Sequence, residues 1–217
     1  MRAAEIMKRP NAITLMTELS AQVTPKVASA GVVDLSQLSN EPFLPFDVDL
    51  TVEDGQTIEL GGEVAVRAMA TPGHTRDHVS YYIPEKKILI ATEASGCLDR
   101  AGQIITEFLV DYDAYIASLE RLAALPVEIL CQGHHFVLVG VQEVKNFFAR
   151  SIREAKAFKE RVYELLDAEG GAVERVVARI KAEQYDANPH VKQLEQAYLL
   201  NVRAQVAHLA ARKESRQ

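Results

Sequence analysis

Three observations in the sequence predict an α/β fold, a sandwich of sheet and helices with a helical extension at its C-terminal end. Short apolar runs joined by tight turns fill residues 46 to 92 and make an antiparallel sheet. A helix, a strand, a His-bearing loop and another helix then follow in that order, as an α/β sandwich requires. From Val141 onward, apolar residues recur at helical spacing almost to the end. The expected division is an α/β domain over residues 1–145 and a helical extension over 146–217.

Taken in order, Ala3, Ala4, Ile6 and Met7 suggest a short helix that Pro10 breaks, and Ile13, Leu15, Met16 and Leu19 suggest a second. The charges at Arg2, Glu5, Lys8, Arg9 and Glu18 are wrong for a secretory signal. Pro25, Gly31, Asn40, Pro42 and Pro45 punctuate a long loop, in which Phe43, Leu44 and Phe46 either line a pocket or pack beneath the loop. Phe46 to Val52 alternates as a strand, Asp54-Gly55 turns the chain, and Thr57 to Leu60 returns. Gly61-Gly62 leads into a strand over Glu63 to Ala70, followed by strands at Val79 to Ile83 and Lys87 to Ala91.

Residues 98 to 110 read as a loop around Gly102, packed down through Ile104, Ile105, Phe108, Leu109 and Val110. Asp111 is a natural N-cap for a helix through Leu125, with Tyr115, Leu119, Leu122 and Ala123 on one face and Pro126 just beyond. Val127 to Cys131 is a short strand. Three helices follow: one from Val141 to the Gly170-Gly171 pair, one over Val173 to Ile180, and one over His190 to Ala211 with Pro189 near its start.

Composition narrows the function classes. A chain of 217 residues with 48% apolar content can bury a sizeable core, and 25% charged residues is ordinary for a soluble protein. The formal charge of −6 argues against nucleic acid or an anionic membrane surface as a partner. No apolar run is long enough to span a membrane. Cys97 and Cys131 form neither a CxxC pair nor a disulfide framework, so a reducing cytoplasm is the default expectation.

The chemistry gathers where strands end. Thr71-Pro72-Gly73-His74-Thr75-Arg76-Asp77-His78 connects two strands, and Pro72 and Gly73 make a rigid reversal that can hold the His74 imidazole over a sheet edge. Alone, His74 reads more readily as a turn cap than as a ligand. Two further stretches tip the reading: the strand at Lys87 runs out into Thr92-Glu93-Ala94, and the strand at Val127 runs out into Gln132-Gly133-His134-His135. Imidazole and carboxylate groups arriving from separate strand ends are what a zinc or iron site needs. Asp77, three residues past His74, could accept the other imidazole N–H. His78 reads as a group behind the ligands or facing substrate. Of the neighbours His134 and His135, at most one faces the site, because adjacent extended residues point oppositely.

With these residues in place, the order DGQTIELGG…VRAMATPGHTRDHVSYYIPEKKILIATEASG…VEILCQGHHFVLVG resembles the metallo-β-lactamase superfamily of metal-dependent hydrolases over about residues 45 to 145. The resemblance implies a metallo-β-lactamase-like αββα sandwich of which this chain is the second half. It also implies metal ligands: His74 on the first metal, Glu93 bridging both, and His134 on the second. It selects His134 over His135. The cofactor it implies is zinc, two ions per complete site, with iron or manganese as alternatives.

Two departures stand beside the match. The family's His-x-His-x-Asp-His signature is absent, since the six histidines are His74, His78, His134, His135, His190 and His208. The bridging position, usually Asp, holds Glu93, whose extra methylene moves its oxygens at a site where ligand distances of about 2.0–2.2 Å are required; some relatives look similar here. On this reading Met1 is an internal methionine of a longer parental sequence and the chain is a truncated hydrolase.

The implied reaction is attack of a metal-bridging hydroxide on a small ester, thioester, lactone or phosphodiester substrate. The alternative is a non-catalytic binding protein built on the same fold. An uncovered sheet would then pair with a second copy or with a complementing N-terminal partner.

Overall fold

The computed structural model describes residues 51–99, 101–132, 136–190 and 193–215. Its main sheet begins with a hairpin, β1 (Thr57–Gly61) antiparallel to β2 (Val64–Ala70), turning through Gly61 and Gly62 at φ 87° and 62°. β3 (Val79–Ile83) and β4 (Ile88–Ile90) extend this antiparallel meander. The chain then leaves for a two-stranded ribbon, β5 (Cys97–Leu98) with β6 (Ile104–Ile105), and for helix α1 (Tyr112–Ala123). It returns as β7 (Ile129–Cys131), parallel to β4, and adds β8 (Val137–Val139) antiparallel to β7. The order across the sheet is β1-β2-β3-β4-β7-β8. A parallel pair cannot be closed by a tight turn, and the α1 excursion supplies the crossover.

Register divides the side chains between two faces, because successive residues of a strand point oppositely. Tyr82, Leu89, Leu130 and Leu138 are neighbours across four strands. The first three are 4%, 0% and 0% exposed and join the core. The adjoining row, Tyr81, Ile90, Cys131 and Val137, lies on the other face.

The helices follow from local chemistry. Asp111 caps α1, its Oδ1 accepting the Ala114 N–H at 3.0 Å, and Tyr112, Tyr115, Leu119 and Leu122 recur on the buried face. Helix α2 (Val141–Ala168) follows Gly140 at φ 116° and ends where Gly170 and Gly171 take φ 60° and 79°. The Gly171 N–H folds back onto the Leu166 carbonyl at 2.8 Å, a glycine C-cap of the kind the sequence shows. Helix α3 (Val173–Ile180) runs into a π-helical turn, Lys181–Asp186, and α4 (Glu195–Glu214) packs Tyr198, Val202, Val206 and Leu209 inward. One apolar cluster extends from Met69 and Leu89 of the sheet through α1 and α2 to Val206 and Leu209. The boundary expected after residue 145 falls inside α2, which begins at Val141.

The structure corrects several expectations. The stretch read as a loop from 98 to 110 contains most of the β5–β6 ribbon. The last helix starts at Glu195 rather than His190. The Gln193 carbonyl, which a helix running from His190 would direct along its axis to a later N–H, instead accepts the Tyr185 hydroxyl at 2.9 Å. Thr51 and Val52 form no strand, while the rest of the run from Phe46, the long loop and the N-terminal helices lie outside the described residues. No helix among the described residues is long and apolar enough to cross a membrane.

Candidate active site

The topology brings three connections to one edge of the sheet. β2 ends and β3 begins there; β4, antiparallel to β3, ends there, and β7, parallel to β4, ends there too. The β2–β3 loop carries His74 and His78, and the turn after β4, Thr92–Ser95, carries Glu93. His134 and His135 follow β7 and lie outside the described residues.

The loop before His74 is pinned by its glycine. Gly73 takes φ 132°, and a Cβ built on it would lie 2.6 Å from the Tyr115 backbone nitrogen, so only glycine fits. The Gly73 carbonyl accepts three N–H groups, those of Leu109, Val110 and Asp111, at 3.1, 3.0 and 3.2 Å. Ser118 Oγ donates to the Pro72 carbonyl at 2.8 Å. The loop is thereby fastened to α1 and the segment before it.

His74 Nδ1 lies 2.6 Å from the carbonyl oxygen of Glu107. A carbonyl only accepts, so Nδ1 carries the proton and Nε2 carries the lone pair. That is the tautomer a metal-binding imidazole uses when the other nitrogen is held by a backbone carbonyl. The partner is Glu107 and not Asp77, because the 106–112 segment folds over the loop from a distant part of the chain.

His78 has a different position. Its Nδ1 meets Thr71 Oγ1 and its Nε2 meets Thr92 Oγ1, both at 2.9 Å. With a hydroxyl at each nitrogen, His78 ties the β2 end to the β4 end. Its Nε2 is also 3.7 Å from Glu93 Oε2, and its ring centroid is 6.0 Å from that of His74. Thr92 sits at φ 45°, a left-handed conformation costly for a β-branched residue. The His78 contact helps hold this turn, which presents Glu93.

Tyr115, 1% exposed, joins the two acidic segments: its hydroxyl accepts the Glu107 N–H at 3.3 Å and donates to the Glu93 carbonyl at 3.4 Å. Burial pushes its phenol far above the ordinary range, which keeps it protonated and able to donate. Burial likewise pushes the Cys97 thiol well up, with the Glu107 and Glu93 carboxylates adding to the effect, which favours the protonated thiol.

Glu107 is the site residue that sequence reading missed. It is 7% exposed, with Oε2 3.9 Å from His74 Nδ1. The available signal was a carboxylate within the apolar run Ile104 to Val110, because a buried charge calls for a function or a partner.

Against a metal, His74 and Glu93 have suitable donors. A catalytic zinc, however, takes three protein ligands, and no group of three or more His, Cys, Asp or Glu among the described residues is placed to hold an ion. The described residues alone therefore do not make a metal centre.

Comparison with known proteins gives a consistent picture. Residues 3–134 match the profile of the metallo-beta-lactamase superfamily. The chain is 30% identical over 147 residues to a hydroxyacylglutathione hydrolase of Rhodopseudomonas palustris, covering 65% of this chain and 52% of that protein. To a hydroxyacylglutathione hydrolase of Mesorhizobium japonicum it is 37% identical over 100 residues, covering 44% of this chain and 36% of that protein. The chain thus spans about half or less of the length of these relatives. Among solved structures, a metallo-beta-lactamase family protein from Thermus thermophilus superposes with TM-score 0.58 at 19% identity, over 96% of this chain and 62% of that one. A beta-lactamase domain protein from Burkholderia ambifaria gives 0.55 at 16% identity, over 87% and 52%. At these identities the structural matches speak for the fold.

Proposed function

Since the chain belongs to the metallo-beta-lactamase superfamily, we propose that it carries one wall of a metal-dependent hydrolase site, with His74, Glu93 and His134 as zinc ligands. The observation that carries this reading is the bond from His74 Nδ1 to the Glu107 carbonyl, which puts the ring proton on Nδ1 and makes Nε2 the nitrogen able to act as a ligand. His78 and Tyr115 support the same assignment by holding the Glu93 turn. Among the substrate classes that the superfamily handles, a thioester is favoured by the relatives named hydroxyacylglutathione hydrolase. Two free cysteines, Cys97 and Cys131, suit a reducing cytoplasm.

The test is metal content per chain after dialysis, for the wild type, His74→Ala and His134→Ala, alongside thiol release from acyl-thioesters. Bound zinc that both substitutions remove, with thiol release that falls in step, supports the proposal. Metal well below one per chain and indifferent to both substitutions overturns it.

A second reading rests on the outer sheet face. Tyr81, Ile90, Cys131 and Val137 form an apolar row, beside Ile83, Ile88, Ile129 and Val139, and the edge-strand residues Val137 and Val139 are 58% and 68% exposed. An apolar face of this kind, with β8 as the last strand of the sheet among the described residues, invites a second copy of the chain, and the protein would then serve as a non-catalytic interaction module. Light scattering decides it: a dimer that Val139→Lys dissociates supports this reading, and a monomeric wild type removes it.

A further inference from the structure

The segment that orients His74 is held at both ends by the C-terminal helix. Gln205 and His208 lie three residues apart on α4 and hence on one face. Gln205, 3% exposed, donates from Nε2 to the Thr106 carbonyl at 2.7 Å. His208 Nε2 accepts the backbone N–H of Tyr112 at 3.0 Å. Between those two anchor points lie Glu107, whose carbonyl takes the His74 Nδ1–H, and Leu109, Val110 and Asp111, whose N–H groups converge on Gly73.

We propose that α4 is a positioning element of the site: Gln205 and His208 clamp the 106–112 segment and, through the Glu107 carbonyl, fix the tautomer and direction of the His74 imidazole. Packing alone does not call for these residue types. Gln205 stands among Val202, Val206 and Leu209, which fill the core, and an apolar side chain there would avoid burying an amide. Its partner is a carbonyl in a segment of irregular structure, where no helix or strand ladder fixes the backbone. The Tyr112 N–H belongs to the first turn of α1, where donors have no partner within the helix. An imidazole from α4 takes it and presses its ring toward Phe108, at 6.2 Å between centroids. Because His208 Nε2 accepts, its proton resides on Nδ1.

This inference deepens the reading of His74 as a metal ligand and rests on it for its catalytic meaning, but its test reads the imidazole directly. The experiment is nitrogen-detected NMR of the histidine side chains in the full chain, comparing the wild type with Gln205→Leu, His208→Leu and His208→Gln. The wild type should show His74 as the Nδ1–H tautomer with a slowly exchanging proton. Gln205→Leu and His208→Leu, with the amide spectrum of the sheet retained, should speed that exchange at least tenfold and mix the tautomers. His208→Gln, whose amide oxygen can accept the Tyr112 N–H, should restore the wild-type signal. If Gln205→Leu does not fold, the His208→Leu and His208→Gln pair carries the same test. An unchanged His74 tautomer and exchange rate in the folded leucine variants overturns the proposal, and so does a wild-type His74 protonated on Nε2. A wild type that binds no zinc yet shows the expected His74 signal would sink the hydrolase reading and leave this one standing.

Discussion

A Cβ added to Gly73 would lie 2.6 Å from the backbone nitrogen of Tyr115, so the turn bearing His74 and helix α1 meet at a backbone-to-backbone contact. Gly73→Ala must move one of them and must also place alanine at φ 132°. The expected cost is about 3 kcal/mol or more, measured as a fall in denaturant midpoint, with the His74 side chain displaced.

Tyr115→Phe deletes one hydroxyl and leaves the Glu107 N–H and the Glu93 carbonyl without it. A buried donor left unsatisfied costs about 1–3 kcal/mol. Equilibrium unfolding should show a loss in this range, and any zinc affinity should fall with it. An unchanged stability would mean that the hydroxyl contacts are replaced by water.

Acid should loosen the α4 contact. Burial lowers the His208 pKa from its ordinary 6.5, Arg212 acts in the same direction, and Asp111 and Asp113 oppose it. The unfolded chain therefore takes up the proton first. The stability that this contributes is fully present above about pH 6.5 and is lost as the pH falls through the lower folded value. Thermal melts from pH 8 to 5 should show this slope in the wild type and a shallower one in His208→Gln.

The core and the surface should respond very differently to truncation. Leu119, 0% exposed at the centre of α1, should cost about 2–5 kcal/mol on replacement by alanine. Arg203 pairs with Glu174 at 2.7 Å, but the two side chains are 50% and 66% exposed, so Arg203→Ala should cost less than about 1 kcal/mol. Paired urea titrations of the two variants test both values.

Much of the architecture is legible in the chain because its signals are local. The β3 strand, Val79–Ile83, and α3, Val173–Ile180, fall where sequence periodicity puts them. The Asp111 cap and the Gly170-Gly171 stop act within one helical turn. The β5–β6 ribbon, with two residues in each strand, is too short to show a period, and β8 has three. Of the candidate site residues, His78 and Glu93 prove to be neighbours at 3.7 Å. Asp77 does not take the His74 proton, since Glu107 does so from a separate segment.

The sequence by itself determined which residues could do chemistry and on which strand ends they ride: the rigid Pro72-Gly73 turn, the acidic exit from β4, and the amphipathic helices that cover one sheet face. Such features depend on side-chain type and on spacing over a few positions. Only the tertiary structure decided what orients His74. The acceptor is a backbone carbonyl, an atom every residue carries and no sequence can flag, and its supports, Gln205 and His208, lie 99 and 96 residues along the chain from the groups they hold. Contacts of that range exist only once the core joins α4 to the sheet.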